Sequence, residues 1–337
     1  MVDHNVHIEG TTTTFAVSPG DTVLAAALRA GIDLPYECTE GCCGSCRVRI
    51  DSGSIHYDAP PVALTKEEQA AGYMLTCQAH PDRDIVISRL SGGEDLPAAV
   101  HLKASVGAID ALTDNIYKLV LRLPQDALCD YRAGQHLNIE SDGSESHSFS
   151  MASAYPFGNE IELHIRRIPG GQFTDKYLST AACGSELEID IPRGEFYYHE
   201  RDWRPILCVA TGTGIAPIHA ILESLLDNEE CPPVTLYWGM RTESDLYLRT
   251  ELESWGGRLF EYSFRPVLSA ADSKWNGRRG HVQDAILGDF EDLSEYALYV
   301  CGAPEMVADV KHLASQRGAD LKYIYSDSFT TQHRTLT

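Results

Sequence analysis

A chain of 337 residues has room for two or three domains, each with a core of its own. Its 43% hydrophobic and 23% charged residues exclude a disordered or membrane-embedded class. A formal net charge of −22 excludes nucleic acid as a partner, because such a surface repels phosphate.

The N-terminus, Met1-Val2-Asp3-His4-Asn5, carries no basic patch with an apolar run behind it. Gly, Pro or charge interrupts every apolar stretch before the roughly 20 residues a membrane span needs. The expectation is a cytoplasmic protein with no membrane association.

In chain order, residues 5–8 and 13–17 alternate (Val6, Ile8; Phe15, Val17) around a Thr-rich turn and predict a hairpin. Asp21 reads as the cap of a helix over Thr22–Ala30, stopped by Gly31. A cysteine-rich loop follows, then strands at Val48–Ile50 and Ile85–Ile87. Between them a short helix near Leu64–Ala71 has Thr65 as cap and Glu68 three residues on. Two strands, a helix across them and further strands make a β-grasp module.

The loop carries the first chemical signal. Cys38, Cys43 and Cys46 stand as C-x4-C-x2-C, and Cys77 follows alone. This is the spacing of plant-type [2Fe–2S] sites, in which four thiolates converge on two irons. Gly41, Gly44 and Ser45 let the loop wrap with its N–H groups turned toward sulfur. Cys42 offers C-x3-C-x3-C as a second register; Cys43 is preferred because it completes a C-G-x-C step. Zinc prefers two C-x2-C pairs or a Cys/His mixture, and disulfides suit neither an intracellular chain nor the six remaining scattered cysteines.

Residues 91–99, a polar Gly/Pro stretch, read as a linker. Strands then recur every eight to twelve residues: His101–Ile109, Ile116–Leu123, His136–Ile139, Ser146–Met151, Ile161–Ile168 and Glu186–Ile191, the rhythm of an antiparallel barrel. From Pro205 strands and helices alternate: Ile206–Ala210, a helix over Pro217–Leu226, Val234–Trp238, a helix near Leu246–Trp255, Leu259–Phe264, Ala297–Val300, and a helix over Pro304–Arg317. That is a parallel sheet with helices on both faces. The fold class expected is multidomain α+β and α/β: a β-grasp ferredoxin-type domain over 1–95, an antiparallel β-barrel over 100–200, and a parallel-sheet nucleotide-binding domain over 201–337.

Three pieces of the middle region carry chemistry together. His147-Ser148-Phe149-Ser150 lies on a strand; Arg166-Arg167-Ile168-Pro169-Gly170-Gly171-Gln172-Phe173-Thr174 opens a helix; Pro192-Arg193-Gly194-Glu195-Phe196 follows. Glycines before a helix N-terminus suit a phosphate. In the last third, Gly212-Thr213-Gly214-Ile215-Ala216-Pro217 follows a strand and opens a helix, a dinucleotide loop without the third glycine. Tyr237-Trp238-Gly239-Met240-Arg241, Phe264-Arg265-Pro266-Val267-Leu268-Ser269 and Cys301-Gly302-Ala303-Pro304 end three more strands, at the edge where open α/β sheets bind ligands.

With these motifs in this order the chain resembles the ferredoxin–NADP reductase superfamily. The order ferredoxin, flavin, pyridine nucleotide resembles the reductase components of bacterial multicomponent (ring-hydroxylating) oxygenases. The resemblance implies that Phe149 lies on the flavin, that Ser150 stands near its N5, and that Gly171, Gln172, Phe173 and Thr174 bind the FAD pyrophosphate. His147 stands where the family usually has Arg, so phosphate binding leans harder on the helix start and on Arg166 or Arg167, and FMN is harder to exclude. It further implies that Gly212, Thr213, Gly214 and Gly302 hold the nucleotide, that Cys301 lies beside the nicotinamide, and that Phe329, in Ser326-Asp327-Ser328-Phe329, covers the flavin's other face. Ser150, Cys301 and Phe329 are the catalytic candidates.

NADH is the expected donor, since Glu243 and Asp245 accompany Arg241 after Trp238; Arg241 keeps NADPH open. The relay implied runs from NADH through FAD to the [2Fe–2S] cluster and on to a terminal oxygenase, with no general base. The partner would meet an acidic docking face, because acidic residues outnumber basic ones more than two to one in the first 95. The alternatives are the same relay feeding another iron–sulfur acceptor, such as a deoxysugar dehydrase, and a non-catalytic ferredoxin carrier with a nucleotide-sensing module.

Overall fold

The structure, a computed structural model, describes residues 3–329 apart from 33, 37, 38, 42, 89–95, 126, 128, 142–144 and 155–158. The chain divides into two compact units. One holds residues 1–95 with 292–294 and 303–337; the other holds 96–291 and 295–302. The predicted linker falls partly outside the described residues.

The first unit begins with β1 (His4–Ile8) and β2 (Thr14–Val17), the predicted hairpin. Helix α1 (Val23–Arg29) follows. Its cap is Thr22, whose hydroxyl accepts from Ala25 N, rather than Asp21, which pairs with Arg29. Either residue type caps well; Asp21 is one position too early for its oxygen to meet the third helical N–H. Gly31 takes the expected left-handed turn, φ 70°.

Next come β3 (Arg47–Ser52), β4 (Ile55–His56), α2 (Lys66–Ala70), β5 (Tyr73–Leu75), β6 (His80–Pro81) and β7 (Ile85–Ser88). Helix α2 carries the predicted capping box, with Thr65 and Glu68 each bonded to the other's backbone N–H. The main sheet has order β2-β1-β7-β3-β5, with β1 and β7 parallel and the other pairs antiparallel. Val6, Ile8, Phe15, Val17, Val48, Ile85 and Ile87 bury one face of it against α1.

In the second unit β8 (Val100–Ala111), β9 (Ile116–Arg122), β10 (His136–Ser141), β11 (Glu145–Ser150), β12 (Glu160–Arg166) and β13 (Glu186–Arg193) form a six-stranded antiparallel sheet of order β11-β10-β13-β8-β9-β12. The expected barrel is not closed by a ladder: among the described residues the end strands approach through one isolated bridge, Met151 to Leu163. Between β12 and β13 a π-helical turn (Gln172–Tyr177) runs into α3 (Leu178–Thr180).

The same unit continues with β14 (Ile206–Thr211), α4 (Ile215–Ser224), β15 (Val234–Met240), α5 (Arg249–Ser254), β16 (Ser263–Leu268), β17 (Arg278–Arg279), α6 (Val282–Asp289) and β18 (Ala297–Gly302). Within this unit the parallel order is β17-β16-β15-β14-β18. The expected strand over Leu259–Phe264 is displaced to Ser263–Leu268. Pro266 lies inside it, paired with Trp238, although a proline usually ends a strand because it cannot donate to the ladder. Helix α6 was not foreseen.

The chain then returns to the first unit through α7 (Pro304–Gln316) and β19 (Ile324–Ser328). In this division the C-terminal helix and last strand group with the N-terminal residues. No helix among the described residues is long and apolar enough to cross a membrane.

Candidate functional site

Cys43, Cys46 and Cys77 are buried in the first unit, and none of them is in a disulfide. Cys46 Sγ and Cys77 Sγ approach to 3.2 Å without a disulfide. Cys38 and the rival Cys42 lie outside the described residues. The loop is held from several sides. Gly41 takes φ 75° and a Cβ there would meet Gln78 Cγ at 2.8 Å. The Gln78 amide donates to Thr39 O and Cys77 O. Leu24 N donates to Thr76 O and Val23 N to Ala79 O, so the α1 N-terminus fixes the stretch around Cys77. Half-buried Tyr57, whose hydroxyl accepts from Leu75 N, has its pKa pushed up to about 12, chiefly by desolvation. Buried thiols, two of them 3.2 Å apart, are soft donors that fit a [2Fe–2S] cluster.

On β11, Phe149 and His147 are half-buried and Ser150 is buried, next to His136 in register on β10. Phe173 is only 2% exposed: its ring packs on Tyr177 (5.0 Å), Phe149 (5.2 Å) and His147 (5.7 Å). Its side chain thus props the rings of β11 from behind, and a cofactor can meet only its backbone. Thr174 Oγ1 accepts from Ile168 N, and a Cβ at Gly171 would lie 2.6 Å from that hydroxyl oxygen, so the turn admits no side chain there.

The two arginines diverge. Arg167 pairs with Asp175 at 2.6 Å, and Asp175, also accepting from Gly170 N, is held below the usual carboxylate range by that bond first and by Arg167 second. Arg166 is exposed, with Nη1 3.8 Å from where a Cβ at Gly212 would lie. Sequence reasoning could not choose between them; the structure leaves Arg166 beside the Gly212 loop. At the end of β13, the Arg193 Nε is buried without a hydrogen-bond partner. A buried donor left over beside β10 and Ser150 is a place for an acceptor-bearing ring or phosphate. The residues present fit a flavin nucleotide.

In the parallel sheet, β15 and β16 lie to one side of β14 and β18 to the other, which makes the β14/β18 boundary the topological switch point. The two nucleotide motifs meet there. Gly214 is packed so closely on β18 that a Cβ would sit 2.4 Å from Cys301 O and 2.8 Å from Gly302 Cα. Gly212 takes φ 58° and its carbonyl accepts from Trp238 Nε1 at 3.0 Å. Cys301 is fully buried at the strand end. The chemistry of a nucleotide cradle is therefore supplied by backbone, with Gly214 dictated by close approach and Gly212 by its positive φ.

Beyond β15, Arg241 is exposed. Asp245 is occupied: its carboxylate accepts from Thr242 N and Thr242 Oγ1, completing a cap. Arg249 pairs with both Glu243 and Glu253 and lies over the Trp275 ring. Glu243, Arg249 and Trp275 line a cavity of about 370 Å³ with Phe264, Pro266, Lys274 and Arg278. Lys274 and Trp275 were missed because they fall in a loop without motif, and Arg278 because its strand β17 is only two residues long. Phe329 is half-buried at the end of β19 in the first unit.

Comparison with known proteins agrees with this geometry. Residues 6–82 match a 2Fe-2S iron-sulfur cluster binding domain, 103–198 an oxidoreductase FAD-binding domain, and 208–312 an oxidoreductase NAD-binding domain. The chain is 34% identical over 334 residues to terephthalate 1,2-dioxygenase, reductase component 1, of Comamonas sp, covering 98% of each. It is 32% identical over 331 residues to a CDP-6-deoxy-L-threo-D-glycero-4-hexulose-3-dehydrase reductase of Yersinia pestis, covering 96% of this chain and 98% of that one. Among solved structures, the Amycolatopsis cytochrome P450 reductase GcoB superimposes with a TM-score of 0.73 at 29% identity, covering 97% of this chain and 99% of that chain. Thiol loop, flavin-binding sheet and nucleotide switch point together make this chain a member of the ferredoxin–NADP reductase superfamily, in its branch of NAD(P)H-dependent flavin iron–sulfur oxidoreductases that serve as reductase components.

Proposed function

We propose that this protein draws electrons from NADH and delivers them singly to a terminal oxygenase acting on an aromatic substrate. The observation that carries the reading is the packing of Gly214 on Cys301–Gly302 at the switch point, on the same chain as the buried thiols Cys43, Cys46 and Cys77. A bound flavin supplies the conversion of a hydride's electron pair into the single electrons that an iron–sulfur cluster accepts.

The chain's own part is binding and orientation. Phe149 and Ser150 line the isoalloxazine, with Phe173 behind them; Arg166, Gly171, Gln172 and Thr174 take the pyrophosphate. Arg167 steadies that turn through Asp175 instead of gripping phosphate itself. Gly212, Thr213, Gly214 and Gly302 cradle the dinucleotide, Cys301 backs the nicotinamide, and Phe329 is assigned to the flavin. Asp245, whose Oδ2 is held by its cap, supports the turn bearing Arg241. Cys38 with Cys43, Cys46 and Cys77 holds the cluster.

The freshly purified protein should show flavin peaks superposed on cluster absorption, both bleached by NADH. A colourless preparation, or one inert to NADH, overturns the reading. C43S should leave reduction of the flavin by NADH intact while abolishing delivery to a one-electron protein acceptor, both followed by stopped-flow absorbance. The likeness to a deoxysugar dehydrase reductase supports a second acceptor class. NADH-dependent product formation with a purified oxygenase or dehydrase separates the two.

A further inference from the structure

A buried ionic cluster lies inside the first unit, next to the thiol loop. Glu68 on α2 is wholly buried and Lys311 on α7 is 2% exposed. Lys311 Nζ lies 2.8 Å from Glu68 Oε1 and donates to Ala63 O at 3.1 Å. Arg47, the residue after Cys46, pairs with the same Glu68 oxygen, and its Nη2 donates to Ile324 O on β19 at 3.0 Å. A fourth link comes from the end of that strand: Ser328 Oγ donates to Cys43 O at 2.8 Å. Ala63 N in turn donates to Gly41 O, which ties the Lys311 acceptor to the thiol loop.

Charge burial of this kind is costly unless every partner is in place. Here a carboxylate from the ferredoxin-type residues meets cations from both sides of the junction, one per side. Burial lowers the Lys311 ammonium to about 8 against the pull of Glu68, and the two cations together outweigh the effect of burial on Glu68 and hold its carboxyl low. Nothing in the capping box requires that arrangement, since Thr65 N needs only one Glu68 oxygen. The other oxygen is given entirely to Arg47 and Lys311.

We propose that Arg47, Glu68, Lys311 and Ser328 form a latch that fixes the cluster-bearing loop on α7 and β19, and so sets the position from which the cluster receives electrons. All four are positioning residues. The proposal rests on the relay reading above: each electron lost by the reduced flavin is gained by one ferric iron, and strand β19 runs directly into Phe329, which that reading assigns to the flavin.

The test compares S328A and K311M with the wild-type holoenzyme in stopped-flow absorbance, reading flavin reduction by NADH and cluster reduction as separate phases. The latch predicts an unchanged first phase and a second phase slowed at least tenfold in K311M and severalfold in S328A. The EPR signal and midpoint potential of the cluster should be unchanged, and hydrogen exchange should rise in α2 and α7 of K311M. An unchanged second phase in S328A and K311M overturns the latch, as does a slowed second phase accompanied by a shifted cluster potential. Should K311M fail to accumulate, S328A, which removes one oxygen, decides. Failure of the wild-type flavin to accept electrons from NADH would instead defeat the relay reading.

Discussion

Single atoms decide most at Gly214. Any side chain there must displace backbone, Cys301 O and Gly302 Cα, rather than the flexible end of a neighbour. G214A should therefore destabilise the fold by about 2 kcal/mol, the cost of overpacking, and slow flavin reduction more than it slows delivery from an already reduced protein. Denaturant melts and stopped-flow traces check the two halves. The sequence shows Gly212-Thr213-Gly214 as a bare motif; that its partner is the Cys301-Gly302 step is a fact of sheet order. Phe173 teaches the reverse lesson: it occupies a pyrophosphate-binding motif, yet its ring is core.

At the scale of elements, the signals that were legible are local ones. The Thr65/Glu68 capping box, the Gly31 stop and the strand alternation follow from hydrogen bonds and faces within a few residues. Strand β16 was misplaced because Pro266 is tolerated inside a ladder. The junction of β12 with α4 and α5 was invisible, because it is polar and distant in sequence. There His219 donates from Nδ1 to Ala152 O and from Nε2 to Glu251, while His164 meets Glu162 and Tyr247.

The two rings titrate in opposite senses. Burial lowers His164 despite Glu162, whereas Glu251 overcomes burial and raises His219. Below about pH 6.5 stability should climb with pH, since the unfolded chain holds a proton on His164 that the fold resists. Above it stability should fall, since folded His219 retains a proton the unfolded chain has lost. Urea midpoints across pH 5 to 8 should peak near the middle. H219Q should lose the alkaline fall and keep the acid limb.

On the scale of the whole molecule, the order of the three modules was readable because each announces itself through a motif: thiol spacing, glycines before a helix, and a strand-loop-helix start. The division into two compact units was not, since it groups the last helix and strand with the N-terminal residues. Nothing in the residues of α7 marks Lys311 as buried until Glu68 is seen beside it. The acidic excess of the first 95 residues bears on partner encounter. Raising ionic strength from 0.05 to 0.5 M should slow reduction of a basic-faced acceptor at least tenfold, while leaving NADH consumption by a small uncharged acceptor nearly unchanged. Equal slopes for both acceptors would count against electrostatic docking.

The Ser328–Cys43 hydrogen bond and the Lys311–Glu68 pair have a bearing on how the protein is born. A nascent chain emerges from the ribosome N-terminus first, so the cysteines are exposed long before residue 311 or 328 has been translated. Until then Glu68 has no lysine and the ligand loop no strand to lean on. Iron delivered during synthesis would meet an unfinished site, and stable metallation falls to the completed polypeptide.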